Sequence, residues 1–446
     1  MEKTLQDLER VARALTLLMD SSPDHMAIMC RVVPDEESLI AFIEKTPWYS
    51  GFDDEQLAAH FGRALFQAQI DTMRARVDPA RPTIGLYAPL KAFRKHFGTL
   101  SERLEAAGYT VFRLYGQIAD DAFEQADNAY FAGLGMMHQL DFLDAVVITT
   151  LCADLPDRPI PRVIMLHDVF DSPLGDPRDF LELVRTMDYV FVPSEPSMAA
   201  TKRVFTMFDQ AGVAPLKPVQ LVPMGYPRLD ANRRAFAAVA REEKTLVYAP
   251  TMTLESWQEY ASVARWGRGI IDTLRQSFPD HTVIFRPHPN SHTNPAVAAL
   301  MQEVADLPGC EVDAITSDYM TTYGRARMLV TDMSGTAFTF AFTTGRPVVF
   351  FSPNDAAARA ANPDVTYFQL RDRVGLVAEC LEDLPTRVRA AMDPAFQAHA
   401  AELCRQTIYN LGASEDRFLD LLPTVLRKEI LPGAFLFDPN QGGPTW

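Results

Sequence analysis

The chain has 446 residues, 48% hydrophobic and 22% charged, the balance of a globular protein with a large core and length for about three domain-sized units. Its 42 Lys and Arg stand against 58 Asp and Glu, a net charge of −16, so the surface as a whole repels polyanions and no nucleic-acid partner is expected. Any phosphate site has to be local, made by a few placed cations and backbone amides. The five cysteines (Cys30, Cys152, Cys310, Cys380 and Cys404) show neither CxxC nor zinc-like spacing and read as buried thiols of a reducing compartment. The first twenty residues lack an apolar signal region, and no apolar run approaches the roughly 20 residues that span a bilayer. The expectation is a cytoplasmic protein, peripheral at a membrane at most.

Residues 1–80 read as helical. Leu5, Leu8, Ala12, Leu15 and Met19 share one helical face, and residues 52–77 form a second amphipathic helix with acidic residues in its first turn. The polar face of the first helix mixes Lys3, Arg10 and Arg13 with Glu2, Asp7, Glu9 and Asp20, so it is expected to dock on the protein rather than on lipid. From residue 82 the rhythm changes. PTIGLYA reads as a strand, FGTLSERLEAAG as a helix ending at Gly108 and YTVFRLYG as a strand, followed by a long helical stretch through residue 140. AVVITT and RVIMLHD then read as strands, DFLELVRTM as a helix and YVFVPS as the strand that closes the series.

A break at PMGYPRLDANRR precedes a second series. It runs TLVYAPT (strand), a helix around WGRGIIDTLRQSF, HTVIFRPHP (strand), NPAVAALMQEVAD (helix), RMLVTDMS (strand), TAFTFAFTTG (helix) and RPVVFFS (strand), with further helices to residue 427 and a tail, LPGAFLFDPNQGGPTW. Strands alternating with helices predict parallel sheets with crossover helices. The expected architecture is α/β: two Rossmann-like parallel-sheet domains, residues 81–232 and 233–427, facing a cleft, with a helical addition at 1–80 and a tail at 428–446.

Three segments can carry chemistry. In VIFRPHPN, residues 283–290, each proline fixes its own φ and pushes the preceding residue to extended geometry, so Arg286 and His288 are held on stiffened backbone at a strand exit. In open α/β sheets that is where ligands sit, and a cation beside an imidazole suits an anion. In MLVTDMSGTAFTFAFTTGRPVVFF, a strand runs to Asp332 and Ser334-Gly335-Thr336 opens a helix that is apolar almost all round and must be buried. Its N-terminus suits a phosphate, with Gly335 permitting close approach; simple capping by Ser334 or Thr336 is the alternative. In RVIMLHDVFDSPLG, His167 stands at a strand exit with Asp168 and Asp171 after it. It is either a general base or a histidine satisfied by a backbone carbonyl, and the segment alone favours the second.

The order HDVFDSPLG, PMGYPRLD, YAPTMT, FRPHPN, VTDMSGTAFTFAFTTGRPVVFF and YNLGASEDRFLDLL resembles the CDP-glycerol glycerophosphotransferase family, the teichoic-acid-type polymerases and primases, over roughly residues 160–425. The resemblance implies the GT-B architecture and a transferase that needs neither metal nor other cofactor. It implies that His167 is the general base toward an acceptor hydroxyl and that His288 with Arg286 stabilises the transferring phosphoryl group. Ser334, Gly335 and Thr336 would hold the donor's phosphates, with Thr251 and Asp332 at the same donor pocket. Two departures stand out: Asp168 follows His167 where the family has glycine, and Met252-Thr253 follow YAPT where it usually has tryptophan and a charged residue. The partners implied are a CDP-linked donor of glycerol phosphate or another polyol phosphate and a cell-envelope or capsule glycan, or polyol-phosphate, acceptor, with CMP released. Contact with the inner face of a cell membrane is left open, as is the oligomeric state. A GT-B glycosyltransferase using a nucleotide-sugar is the alternative, and a non-catalytic nucleotide-binding subunit a third reading.

Overall fold

The computed structural model of the chain describes residues 5–47, 51–119, 121–133, 135–167, 169, 184–210, 212, 217–253, 260–315, 319–363 and 365–438. Its strands are β1 (Thr83–Ala88), β2 (Thr110–Tyr115), β3 (Ala129–Phe131), β4 (Ala145–Ile148), β5 (Arg162–Met165), β6 (Tyr189–Val192), β7 (Val219–Pro223), β8 (Thr245–Tyr248), β9 (Thr282–Phe285), β10 (Cys310–Val312), β11 (Ala326–Thr331), β12 (Val348–Phe351), β13 (Gly375–Ala378) and β14 (Phe435–Phe437). They form two sheets, ordered β14-β7-β6-β5-β4-β1-β2-β3 and β10-β9-β8-β11-β12-β13. Every pairing is parallel except that of β14 with β7. Helices cover both faces of each sheet, so the central strands β1, β4, β6 and β8 are buried along their whole length. The expected pair of Rossmann-like sheets is therefore present, in the GT-B arrangement.

The N-terminal helices pack together and onto the β3 edge of the first sheet. The Asp54–Ala75 helix opens with a capping box in which Asp53 and Gln56 bond each other's backbone amides. Gln69 Nε2 on that helix donates to Phe131 O at 2.7 Å, and Arg31 of the Pro23–Val32 helix donates to Ala129 O. The first helix, Leu5–Ser21, docks on the protein through Val11, Ala14 and Leu18, while Leu8 and Ala12 face outward. Its buried stripe is thus rotated from the one expected, because packing against the Asp54–Ala75 helix selects the valine and small alanine over the wider leucine row. No helix of the described residues is long and apolar enough to cross a membrane.

Of the five cysteines expected to be buried, Cys404 is, Cys152 and Cys310 are half-buried, and Cys30 and Cys380 are exposed. Other departures have local causes. The long helix expected before residue 140 is replaced by turns, the short β3 and a 3-10 turn at Met136–Gln139. Tyr130, Phe131, Met136 and Met137 are buried by the N-terminal helices, so long-range packing takes the place of a helical stripe. YVFVPS does not close the first series: the Glu195–Gln210 helix and β7 follow it. The PMGYPRLDANRR break holds the Pro227–Ala238 helix, which proline starts at its first position. Residues 170–183, including Asp171 and most of the DFLELVRTM helix, lie outside the described residues, as does Asp168.

The end of the chain crosses back. The Ser414–Leu426 helix buries Phe418, Leu421, Leu422 and Val425 under the first sheet, and the expected tail supplies its edge strand β14. These residues complete the first sheet's domain. The crossing is latched by Asp230, which accepts from Gly412 N at 2.6 Å, from Ser414 N at 3.0 Å and from the Ser414 hydroxyl. Gly225 sits beside the latch at φ +104°, and a Cβ there would lie 2.5 Å from Tyr409 O. The PRLD and GAS segments are thus two ends of one clasp between the domains.

Candidate active site

Each sheet reverses its strand order once, the first between β1 and β4 and the second between β8 and β11. Ligands bind such sheets outside the carboxyl ends of the strands at the point of reversal. Here both reversals open onto one cleft of about 780 Å³ whose walls include His167, Thr251, Arg286, His288, Ser334, Gly335 and Thr336.

The wall from the second sheet is anchored by Asp332, which is buried and does not line the cleft. Its carboxylate accepts from Thr251 N at 2.7 Å, Ser262 N at 2.7 Å and the Ser262 hydroxyl at 2.8 Å. It ties the β8 exit to the β11 exit. Burial pushes its pKa up to about 6 against the pull of those donors. Beyond it, Ser334 Oγ accepts from Thr336 N at 3.2 Å, so the serine does act as a local cap. Gly335 has ordinary helical φ and is exposed at the mouth of the Thr336–Thr344 helix. Close approach rather than an unusual backbone angle is what this glycine permits. The helix behind it buries Phe338, Phe340 and Phe342, as its all-round apolar pattern requires.

At the β9 exit, Arg286 is clamped. It pairs with Asp313 and donates to Ile315 O at 2.8 Å, and its side chain is only 13% exposed. His288 Nδ1 accepts from Asn290 N at 3.2 Å. That bond leaves Nε2 to carry the imidazole proton. Burial, then the neighbouring Lys95 and His292, pushes the His288 pKa down to about 4, so the ring is a neutral N–H donor at pH 7.

The facing wall comes from the first sheet. His167 Nδ1 lies 3.2 Å from Thr149 O at the β4 exit. A carbonyl only accepts, so Nδ1 carries a proton, and in the uncharged form of the ring the lone pair is on Nε2. Its ring packs edge-on against Phe93 at 5.0 Å and lies beside the His96 ring, tilted by 34°, at 4.4 Å between centroids. His96 is buried, and its Nδ1 lies 2.7 Å from the Tyr226 hydroxyl. Burial and then His167 hold the His96 pKa well below its ordinary value. Arg228 donates to the Tyr319 hydroxyl at 2.7 and 3.1 Å, with no carboxylate partner among the described residues. Lys95 also lines this cleft. A second cavity of about 970 Å³, lined by Ser262, Arg265, Trp266 and Asn354, shares Met333 with the cleft.

Of the expected site residues, seven therefore share one cleft and Asp332 lies beneath it. Four contributors had escaped the sequence reading: Lys95, His96, Arg228 and Asp313. The signal for the first two was KAFRKHFG just after a strand, but nothing local brackets those residues as the prolines bracket Arg286 and His288. Asp313 becomes visible only once β10 is paired beside β9.

Residues 165–393, about half the chain, match the family described as CDP-Glycerol:Poly(glycerophosphate) glycerophosphotransferase. A comparison with curated proteins gives no match. Among solved structures the chain is similar to the wall teichoic acid polymerase TagF, with 14% identity and a TM-score of 0.54 over 82% of this chain and 93% of that one. It is also similar to a putative UDP-N-acetylglucosamine 2-epimerase from Listeria monocytogenes, at 11% identity and a TM-score of 0.56 over 79% and 100%. The S. aureus MnaA–UDP structure gives 13% identity and a TM-score of 0.53 over 78% and 97%. These structural likenesses speak to the fold alone; the motif-bearing half of the sequence speaks to the chemistry. The chain belongs to the CDP-glycerol:poly(glycerophosphate) glycerophosphotransferase family and is a transferase of that kind.

Proposed function

We propose that the protein transfers glycerol phosphate, or a related polyol phosphate, from a CDP-linked donor to a hydroxyl of a cell-envelope or capsule glycan or polyol-phosphate chain, releasing CMP. The observation that carries this reading is the confrontation of His167 with Arg286, His288 and the Ser334-Gly335-Thr336 helix start across one cleft. The donor's pyrophosphate would rest on the helix start, whose amides and dipole favour anions, with the Arg286 guanidinium beside it. Its nucleoside would extend into the neighbouring cavity beside Trp266 and Arg265.

His167 Nε2 would take the proton of the acceptor hydroxyl as its oxygen attacks the phosphorus of the polyol phosphate. The bond from that phosphorus to the bridging oxygen breaks, and the electron pair leaves with CMP. The His288 Nε2–H would donate to the phosphoryl or bridging oxygen as charge builds there. Such chemistry is mostly positioning plus charge stabilisation, which suits fixed cations and dipoles in a closed cleft. Those groups supply the charge that a metal would otherwise bring, so turnover is proposed to survive chelation. The nucleotide donor implies a cytoplasmic reaction, at the inner face of the membrane when the acceptor is anchored there.

The test is incubation with CDP-glycerol and polyol-phosphate or glycan acceptors, in buffer containing EDTA, with nucleotide products separated. CMP formed in step with acceptor extension supports the reading. A nucleoside diphosphate released from a uridine or guanosine sugar instead would assign the cleft to glycosyl transfer, and TagF, solved in one variant form after soaking with CDPG, is the reference for the donor-binding arm.

A further inference from the structure

We propose that Lys95 is a substrate-contacting cation of this cleft, its ammonium binding the phosphoryl group held between the two domains from the side opposite Arg286 and His288. Lys95 lies outside residues 165–393, and no motif of the sequence assigns it a role. The inference rests on the reading of the cleft as a phosphoryl-transfer site and adds to it a contact from the first sheet.

The position comes first. Lys95 stands in the 3-10 turn Lys91–Phe97, which follows β1 directly, at the first sheet's reversal point. The turn is held on both sides. Glu415, itself buried, accepts from Thr99 N and the Thr99 hydroxyl at 2.8 Å each, and from Arg234 at 2.9 Å. Gly98 closes the turn at φ +59°, where a Cβ would lie 2.9 Å from Pro227 O and from Glu415. His96 is fixed by Tyr226 from the other direction. Such a turn does not swing freely, so the backbone that carries the lysine has a fixed station.

The charge pattern comes second. Arg94, the preceding residue, is buried and neutralised by Asp121 at 2.8 Å and Glu124 at 3.1 Å. Lys95 has no carboxylate partner among the described residues, and its side chain enters the void of the cleft, where it is open to a ligand. It faces Arg228 from the Pro227–Ala238 helix and Arg286 and His288 from the β9 exit, with His96 and His167 on its own side. Of the two arginines, Arg286 pairs with Asp313, while Arg228 has no carboxylate partner among the described residues. Like charges gathered in a partly enclosed space repel one another and are held there at a cost. A pyrophosphate diester, carrying two negative charges, would relieve it. Burial, then Arg228 and Arg286, pushes the Lys95 pKa down to about 7, which is the same repulsion seen from the lysine. An arriving anion would draw the proton back, so binding and protonation would be linked.

The experiment is isothermal titration of the full chain with inorganic pyrophosphate, which carries no nucleoside, comparing wild type with Lys95→Met and Lys95→Arg. Near pH 6, Lys95→Met is expected to bind pyrophosphate about tenfold more weakly than wild type, the lower range for loss of one charge-assisted hydrogen bond. Near pH 9 that ratio is expected to fall toward one, because the wild-type lysine is then neutral in the free protein; the titration of pyrophosphate itself cancels in the ratio. Lys95→Arg is expected to keep the advantage at both pH values. Melting curves without ligand show that each variant is folded. Equal pyrophosphate affinity in wild type and a folded Lys95→Met near pH 6 would overturn the proposal. With CDP-glycerol, a loss confined to the acceptor's KM would also overturn it. If wild type ignores CDP-glycerol while Lys95→Met still loses pyrophosphate, the donor assignment fails and the lysine's role stands.

Discussion

On the second sheet's side of the cleft, the facing side chains leave directly from strand ends that sequence-local features hold in shape: two prolines around Arg286 and His288, and a helix start after β11. On the first sheet's side, Lys95 and His96 ride a 3-10 turn whose station depends on Glu415, more than three hundred residues away, and His167 depends on a carbonyl of another strand exit. Both walls use the same topology, a parallel sheet that reverses at its centre. The difference is how far along the chain the supporting contacts lie. Short-range support leaves motifs that can be read; long-range support leaves ordinary-looking residues whose role emerges only when the domains are folded.

The division of labour between the walls can be broken by substitution. The largest effect is expected for His167→Ala, which should lower turnover by about 10²–10⁴-fold while CDP-glycerol affinity stays near wild type. Steady-state rates beside donor titrations check it, and parallel losses of both would remove the base assignment from the first wall. Next, Arg286→Met should weaken donor binding by about ten- to a hundredfold, since it removes a charge-assisted contact and leaves the Asp313 carboxylate with only the Thr322 hydroxyl and Ile315 N as donors. An unchanged donor affinity would mean that Arg286 serves Asp313 rather than the ligand.

Asp332→Asn tests the scaffold of the second wall. Its carboxylate collects three donors, so the variant should lose about 1–3 kcal/mol of stability, read from denaturant midpoints. The pH dependence has a definite sign. The folded-state pKa, about 6, lies above the ordinary 3.8, so the folded form holds the proton more tightly. This group's contribution is fully present below the unfolded value and is lost as pH rises through about 6. The variant should lack that decline, and a decline of equal slope in both proteins would assign it elsewhere.

The smallest effect is expected for His96→Gln, a few-fold loss of turnover with donor affinity kept. His96 touches the His167 ring and Tyr226, so its readout is a displaced pH–rate profile. An undisturbed profile with lower melting temperature would make His96 merely structural.

Much of the second domain was legible. β8, β9, β11 and β12 were expected from β-branched and apolar runs ended by Pro, Ser or Gly, and each is present. β7, β10 and β13 were missed; β10 has three residues and β13 four. β10 and β13 are the two edges of their sheet and only partly buried, so no continuous apolar run marks them. The stretch before residue 140 misled because its apolar residues are buried by other helices rather than along one helical face.

The sequence by itself determined the two parallel sheets, the helical N-terminal addition, the family, and the residues bracketed by proline or helix-start chemistry, because each follows from interactions within a few residues. Tertiary structure decided that the last helix and strand return to the first sheet, that Asp332 lies beneath the cleft rather than in it, and that Asp313 clamps Arg286. It also decided the tautomers of His167 and His288 and the station of Lys95. Those outcomes depend on which groups meet after burial, where a hydrogen-bond partner or a neighbouring charge sets a proton's position, and a local stretch of sequence does not contain its distant partners.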